Sequence, residues 1–289
     1  MTTLENDVLR VSIRPKGAEL ASIFDKKNSL EHLWQADPAV WGWHAPNLFP
    51  VVGACLNDQI VVENQPYPMQ RHGFARHSEF TLKESSSESA VFSLLFSEKT
   101  LAVFPYRFEL QVAYALDGAS LRVIYRVLNQ DEKPIFFSFG AHPAFNVPFF
   151  PGEAYSDYFL EFEREEELTT HLLDPSGLFS GAAEPVPTEG HRLHLTEHLF
   201  DRDALVFKNH ASRRVSLGST RHERRVAVAF PDFDYLGLWA KPGGSFVCIE
   251  PWLGCADTEH NPLPFEQREG IQRVEVGGRF EVGFTLTIS

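Results

Sequence analysis

The chain has 289 residues, 43% of them hydrophobic and 22% charged, with a formal net charge of −13. That balance suits a globular protein with a sizeable core. It excludes the basic phosphate-neutralising surface a nucleic-acid binder needs, and no apolar run is long enough for a membrane-spanning helix.

In chain order, the start MTTLENDVLRV lacks a basic stretch followed by an apolar block, so no secretory leader is expected. Leu9, Val11 and Ile13 alternate with Arg10, Ser12 and Arg14, the period of a half-buried strand. Short helical pieces are expected around 30–36 and 98–104. SSSES (85–89) reads as a solvated hairpin tip, because strand-like sequence resumes at Ala90. Phe108, Leu110, Val112 and Tyr114 form a second stripe. After Asp117-Gly118 come Leu121, Val123, Tyr125 and Val127, and a short Asp-Gly turn between two such runs predicts a hairpin. EFEREEEL (161–168) reads as a solvated acidic face rather than a metal loop, which needs turn residues between its acids. DPSGLFSGAAEPVPTEGH (174–191) is rich in Gly and Pro and is expected to be a long loop. Val226, Val228 and Phe230 alternate again, as do Phe280, Val282, Phe284, Leu286 and Ile288.

The 25 Phe residues suit pleated, half-buried surfaces. With many short strands, no internal repeat and no composition break, the pattern predicts one all-β domain over 1–289, a large antiparallel β-sandwich with few short helices. Cys55, Cys248 and Cys255 have no metal-type spacing and are odd in number, which points to free thiols and a cytoplasmic location.

Three segments set titratable groups among aromatic and small residues. In MQRHGFAR (69–76), His72 precedes Gly73, which permits close approach of backbone or ligand, and Arg71 and Arg76 flank it. The same segment also reads as a loop with solvated charges. In FFSFGAHPAFNVPF (136–149), Pro143 biases His142 toward extended backbone, at a strand's end where it can project into a cavity. A core histidine satisfied by one hydrogen bond fits as well. In FVCIEPWLGCADTEHNP (246–262), Glu250 follows an apolar run, and burial would raise its pKa toward a useful base. Pro251 is expected to end the strand, with Trp252 beside the acid, although a strand-end Glu facing solvent is the bland alternative. An imidazole and a carboxylate in one aromatic pocket suggest paired proton transfer on a ligand with C–H faces and hydroxyls, such as a sugar. No phosphate-cradling Gly-rich loop, GxSxG or HExxH pattern occurs, so no metal or cofactor is called for.

RHGFAR, SFGAHPAFNVP and CIEPWLGCADT, in this order, resemble the aldose 1-epimerase (galactose mutarotase) family, and its LacX-like branch most. LENDVLRVSIRPKGAELASI, PNLFPVVG (46–53), LFDRDALVFKN (199–209) and LGLWAKPGG (236–244) extend the likeness over nearly the whole chain. The resemblance implies a galactose mutarotase-like sandwich with an open cleft. It implies cofactor-free interconversion of the α and β anomers of a hexose by a monomer or homodimer. It places the general acid on His142 and the general base on Glu250. Sugar contacts fall on His72, Arg71, Asp203, Lys241 and Trp252. An arginine common in the family after the glycine of PNLFPVVG is absent: Ala54 and Cys55 follow Gly53, leaving Arg71 or Arg76 to supply that charge. Two further readings are a hexose-6-phosphate epimerase, with Arg71, Arg76 or Lys241 on the phosphate, and a non-catalytic sugar binder.

Overall fold

The structure, a computed structural model, describes residues 1–289. It is built almost entirely of antiparallel strands, with one short α-helix, Glu98–Leu101. None of its helices is long and apolar enough to cross a membrane.

The expected hairpin is its longest pair. Phe108–Asp117 and Ser120–Asn129 match residue for residue from Phe108↔Asn129 to Asp117↔Ser120. They sit within a nine-stranded sheet that also contains Thr81–Ser85, Ser89–Leu95, Tyr158–Phe162, Arg192–His194, Arg214–Ser219, Arg225–Ala229 and Arg279–Ile288. A six-stranded sheet runs Leu205–Phe207, Tyr235–Trp239, Phe246–Leu253, Phe139–Ala141, Asn47–Leu48, with Ala144–Asn146 pairing the central Phe246–Leu253. The two sheets meet through inward aromatic side chains: Tyr125 against Phe139 at 4.2 Å between ring centroids, and Phe49 against Phe108 at 5.1 Å. One continuous apolar cluster spans this interface and draws on residues from Leu4 to Ile288.

Side chains alternate across a strand, so the six-stranded sheet has a second face. There Leu48, Val52, Phe179, Val206, Trp252 and Cys255 make a separate apolar cluster. This outer face carries the cleft.

Three local expectations give way. Residues 30–36 hold a two-residue strand, Leu30–Glu31, and irregular chain rather than a helix. The stretch 174–191 is not one long loop. Phe179–Val186 is a strand paired with Leu168–Leu173, and only Phe179 and Val186 at its ends are buried. Pro251 does not end its strand, which continues to Leu253. Ile249 N–H reaches Pro143 O, and alternation points the ring nitrogen of Pro251 to the same side. There the neighbouring chain leaves the ladder between Ala141 and Ala144, so the missing donor has nothing to satisfy.

Candidate active site

Phe246–Leu253 pairs with Phe139–Ala141 through Phe139↔Leu253 and Gly140↔Trp252, and with Ala144–Asn146 from Ala144↔Cys248 onward. The register is common to both, so His142 lies opposite Glu250 in the interruption between them. Both side chains point to the outer face, and His142 Nε2 stands 3.1 Å from Glu250 Oε2. The contact lacks hydrogen-bond alignment: Glu250 Oε2 and His142 Nδ1 are buried without a partner. The carboxylate is 1% exposed and the histidine 7%.

Trp252 lies two residues beyond Glu250 on the same face. A Cβ on Gly140 would come within 2.6 Å of its Cδ1, and one on Gly237 within 2.5 Å of its Cζ2. Glycines on both flanking strands therefore let the indole lie flat on the sheet beside the carboxylate.

His72 arrives from a strained loop, with φ of +67° at His72 and +70° at Gly73. Its N–H donates to Gly53 O at 3.0 Å, and Gly53 N–H donates to His72 Nδ1 at 3.1 Å. Since Nδ1 accepts, the ring proton sits on Nε2, free to donate elsewhere. Arg71 faces Asp203 at 3.6 Å. Asp203 also has positive φ, and its Oδ1 accepts from Ala204 N–H. Arg76 donates to Arg71 O at 2.7 Å and lies over the ring of Trp43.

These residues enclose one cavity of about 210 Å³, lined by His142, Glu250, His72, Arg71, Arg76, Asp203 and Trp252, with Trp41, Trp239, Phe179 and Gly177 completing the wall. The sequence-derived set thus comes together, Lys241 excepted. Lys241 is exposed, one residue beyond the buried Ala240 that follows the strand Tyr235–Trp239. Alternation within that strand turns Trp239, with Gly237, toward the cleft instead, and that parity was available in YLGLW. Trp41 sits in a Gly- and Trp-rich loop with no period to flag it. Gly177 and Phe179 come from the hairpin expected to be a loop. Ala54, where the family arginine is expected, is buried outside the lining; Arg71 and Arg76 bring positive charge into the cleft.

Burial dominates the electrostatics. It pushes Glu250 well above the usual carboxylate range, reinforced by Asp203 and opposed by Arg71 and the nearby Trp252 indole N–H. It pushes His142 down to about 3, helped by Arg76 and Arg71, and His72 well below its ordinary value, helped by His142 and both arginines. Burial, with Arg71, lowers Arg76 to about 10. These directions favour a protonated carboxyl beside a neutral imidazole. That state has the same proton count as carboxylate plus imidazolium.

Cys248 brings a third donor within 4.8 Å of the His142 nitrogen and Glu250 oxygen. Burial and Glu250 hold its thiol protonated far above its usual range, and it does not line the cleft.

A β-sandwich of this form is a galactose mutarotase-like fold. A family profile described as aldose 1-epimerase matches residues 1–266, and the chain belongs to that family. It is 37% identical over 280 residues to the plasmid and chromosomal LacX proteins of Lactococcus lactis subsp. lactis, covering 94% of this chain and 93% of each relative. Its fold is similar to that of a galactose mutarotase related enzyme from Lactobacillus acidophilus, with a TM-score of 0.95 at 32% identity over 100% of this chain and 97% of that one. A galactose mutarotase-like protein from Lactobacillus casei gives a TM-score of 0.94 at 31% identity, with both chains covered in full.

Proposed function

We propose that the chain is a cofactor-independent aldose 1-epimerase that interconverts the α and β anomers of a free hexose. The observation that carries this is the His142–Glu250 pair, buried at the wall of a cavity sized for one sugar ring, with Glu250 Oε2 and His142 Nδ1 unpartnered. The ring oxygen and the C1 hydroxyl oxygen of a pyranose share one carbon, so their acid and base must be close neighbours. A separation of 3.1 Å meets that demand.

In this reading Glu250, as carboxylate, takes the proton from the C1 hydroxyl. His142, as imidazolium, gives a proton to the ring oxygen. The C1–O5 bond breaks and the C1 carbonyl forms. Rotation about C1–C2 presents the other carbonyl face, and the same two transfers run backward to close the ring. Passage of one proton from Glu250 to His142 converts the neutral pair into this working pair. Hydrogen bonds from the sugar and the charge of Arg71 favour the carboxylate side. His72, neutral with its proton on Nε2, orients the substrate as a donor, and Trp252 supports the sugar's apolar face.

A second reading has its own observation. Arg76 has no carboxylate within ion-pairing distance, while Arg71 has only Asp203. Two guanidinium groups with one carboxylate suit an anionic sugar such as a hexose 6-phosphate. Anomer exchange followed by NMR on a panel of freshly dissolved aldoses and aldose phosphates tests both readings. Acceleration with free hexoses supports the first. Acceleration confined to phosphorylated hexoses replaces it with the second. Saturable sugar binding without acceleration makes the chain a binding protein instead.

A further inference from the structure

An imidazole that hands over a proton must be held in one orientation, and the usual device is a hydrogen bond from its second ring nitrogen to a carboxylate or carbonyl. His142 has no such bond to any other residue: Nδ1 is buried without a partner, and only its own backbone lies near enough to favour the charged ring. What meets the ring is aromatic. Trp41 stacks on it with ring centroids 5.0 Å apart and planes 27° apart. Trp239 presents itself edge-on at 6.0 Å and 83°. Trp41 is also stacked with Phe246, at 5.4 Å and 19°, so the indole is packed against both the imidazole and the phenyl ring.

Trp41 is itself fixed. Trp41 O accepts from Trp34 Nε1–H at 2.8 Å. Trp41 N–H donates to Asp37 O at 2.8 Å, and the Asp37 carboxylate caps the same turn through Ala39 N–H at 2.9 Å. The turn Asp37–Trp41 is thus a short bracket whose one large side chain covers the imidazole face.

We infer that Trp41 is the positioning residue of the acid: its indole replaces the missing hydrogen bond, holding the His142 ring with Nε2 toward Glu250 and supporting the cationic form of that ring as it appears. The face of an indole is the negative end of its quadrupole and attracts a cation centred over it, more strongly where water is excluded. His142 is such a site, because burial makes its cationic form costly. Trp41 acts through His142, so the inference rests on the acid–base reading above.

The test compares Trp41→Phe and Trp41→Leu with the parent protein in two assays. In steady-state anomer exchange, Trp41→Leu lowers kcat by about 10-fold, the scale of a desolvated cation–π contact plus some loss of alignment. KM moves less than about twofold, because the interaction is made with the acid and not the substrate. Trp41→Phe, which keeps a stacking face, recovers most of kcat. A rise in KM at unchanged kcat would mean that Trp41 acts only through sugar binding and would overturn the inference. So would a Phe variant as impaired as the Leu variant.

The second assay needs no turnover: long-range ¹H–¹⁵N spectra of the histidine side chains, with His142→Asn for assignment. The parent and Trp41→Phe give one narrow tautomer pattern for His142, and Trp41→Leu gives an averaged or broadened one. An unchanged pattern in Trp41→Leu overturns the inference even if the parent is a good epimerase. A parent without activity refutes the acid–base reading alone, and the spectra still decide whether Trp41 holds the ring.

Discussion

His142 and Glu250 face one another across a gap in an otherwise continuous antiparallel register. Phe139↔Leu253 and Gly140↔Trp252 lead into it, Ala144↔Cys248 leads out, and 3.1 Å separates nitrogen from oxygen. The neighbouring chain drops its ladder for these few residues, which frees the His142 backbone, while Glu250 stays paired with Gly237 on its other side and the sheet hydrogen bonds before and after the gap fix the spacing. A cross-strand pair is among the most rigid ways to hold two side chains from distant sequence in contact.

Groups that act as a unit give non-additive losses. Glu250→Gln and His142→Asn should each lower the anomer-exchange rate by roughly 10² to 10⁴, the usual worth of one positioned proton transfer. The double variant should lie within about tenfold of the worse single one. Polarimetry on a freshly dissolved anomer measures all three, with circular dichroism confirming the fold. Multiplying losses would mean two independent roles and would sink the relay.

His72 is held neutral by burial, with its proton directed to Nε2 by the Gly53 N–H on Nδ1. It should therefore act as a fixed donor and not titrate during turnover. His72→Leu should lower kcat/KM by about 10-fold, the scale of one neutral hydrogen bond. His72→Gln, which keeps an N–H, should lose less. The shape of the pH–rate profile between about pH 6 and 8 should be the same in both variants as in the parent. A missing limb in either variant would show that His72 gains or loses a proton in the cycle.

Much of this was legible in the chain, for identifiable reasons. The hairpin 108–129 shows itself because one face is dry and the other, Ala113 apart, is at least partly open to solvent. Glu250 stands out because a carboxylate directly after Val247-Cys248-Ile249 has few bland explanations. The strand Phe179–Val186 was hidden because both of its faces are largely in solvent, so no alternation marks it. Pro251 misled because ladder gaps are a property of the neighbouring strand, invisible locally. Trp41 gave no signal because a loop residue gains its role from the distant side chain it covers.

Acid should destabilise the protein through its buried histidines. Burial depresses His32 to about 4 and His142 to about 3, and it lowers His44, His72, His77, His171 and His210 as well. In each case the unfolded chain takes up a proton near pH 6.5 that the folded chain refuses. Their stability is intact above that pH and is lost as pH falls toward the folded values. Glu19 and Glu250 are raised and work the other way, losing stability as pH rises past the normal carboxylate range, and they oppose part of this slope. Urea unfolding should show stability falling from pH 7 to 5. His32 alone accounts for on the order of 3 kcal/mol by pH 4, since both ring nitrogens are buried without partners beside Phe149. His32→Phe should flatten the slope by up to about 1.4 kcal/mol per pH unit. A parent protein equally stable at pH 7 and pH 5 would contradict the assignment of these histidines as neutral.

Gly73 provides the sharpest structural test of how His72 reaches the cleft. Its φ is +70°, and a Cβ there would lie 2.2 Å from Phe49 O and 2.5 Å from Phe49 C. That carbonyl already accepts from Phe74 N–H and Ala75 N–H, so it cannot yield without breaking the turn that aims His72. Gly152 has an equally unfavourable φ of +87° and nothing within 4 Å of its notional Cβ. Gly152→Ala should therefore show the cost of backbone strain alone, about 1 kcal/mol. Gly73→Ala should cost several times more, on the order of 3 kcal/mol or above, and should also lower kcat/KM because the imidazole moves with the turn. Thermal and urea unfolding of the two alanine variants side by side isolates the close approach. Equal costs would mean that the packing of Gly73 on the Phe49 carbonyl does not position His72.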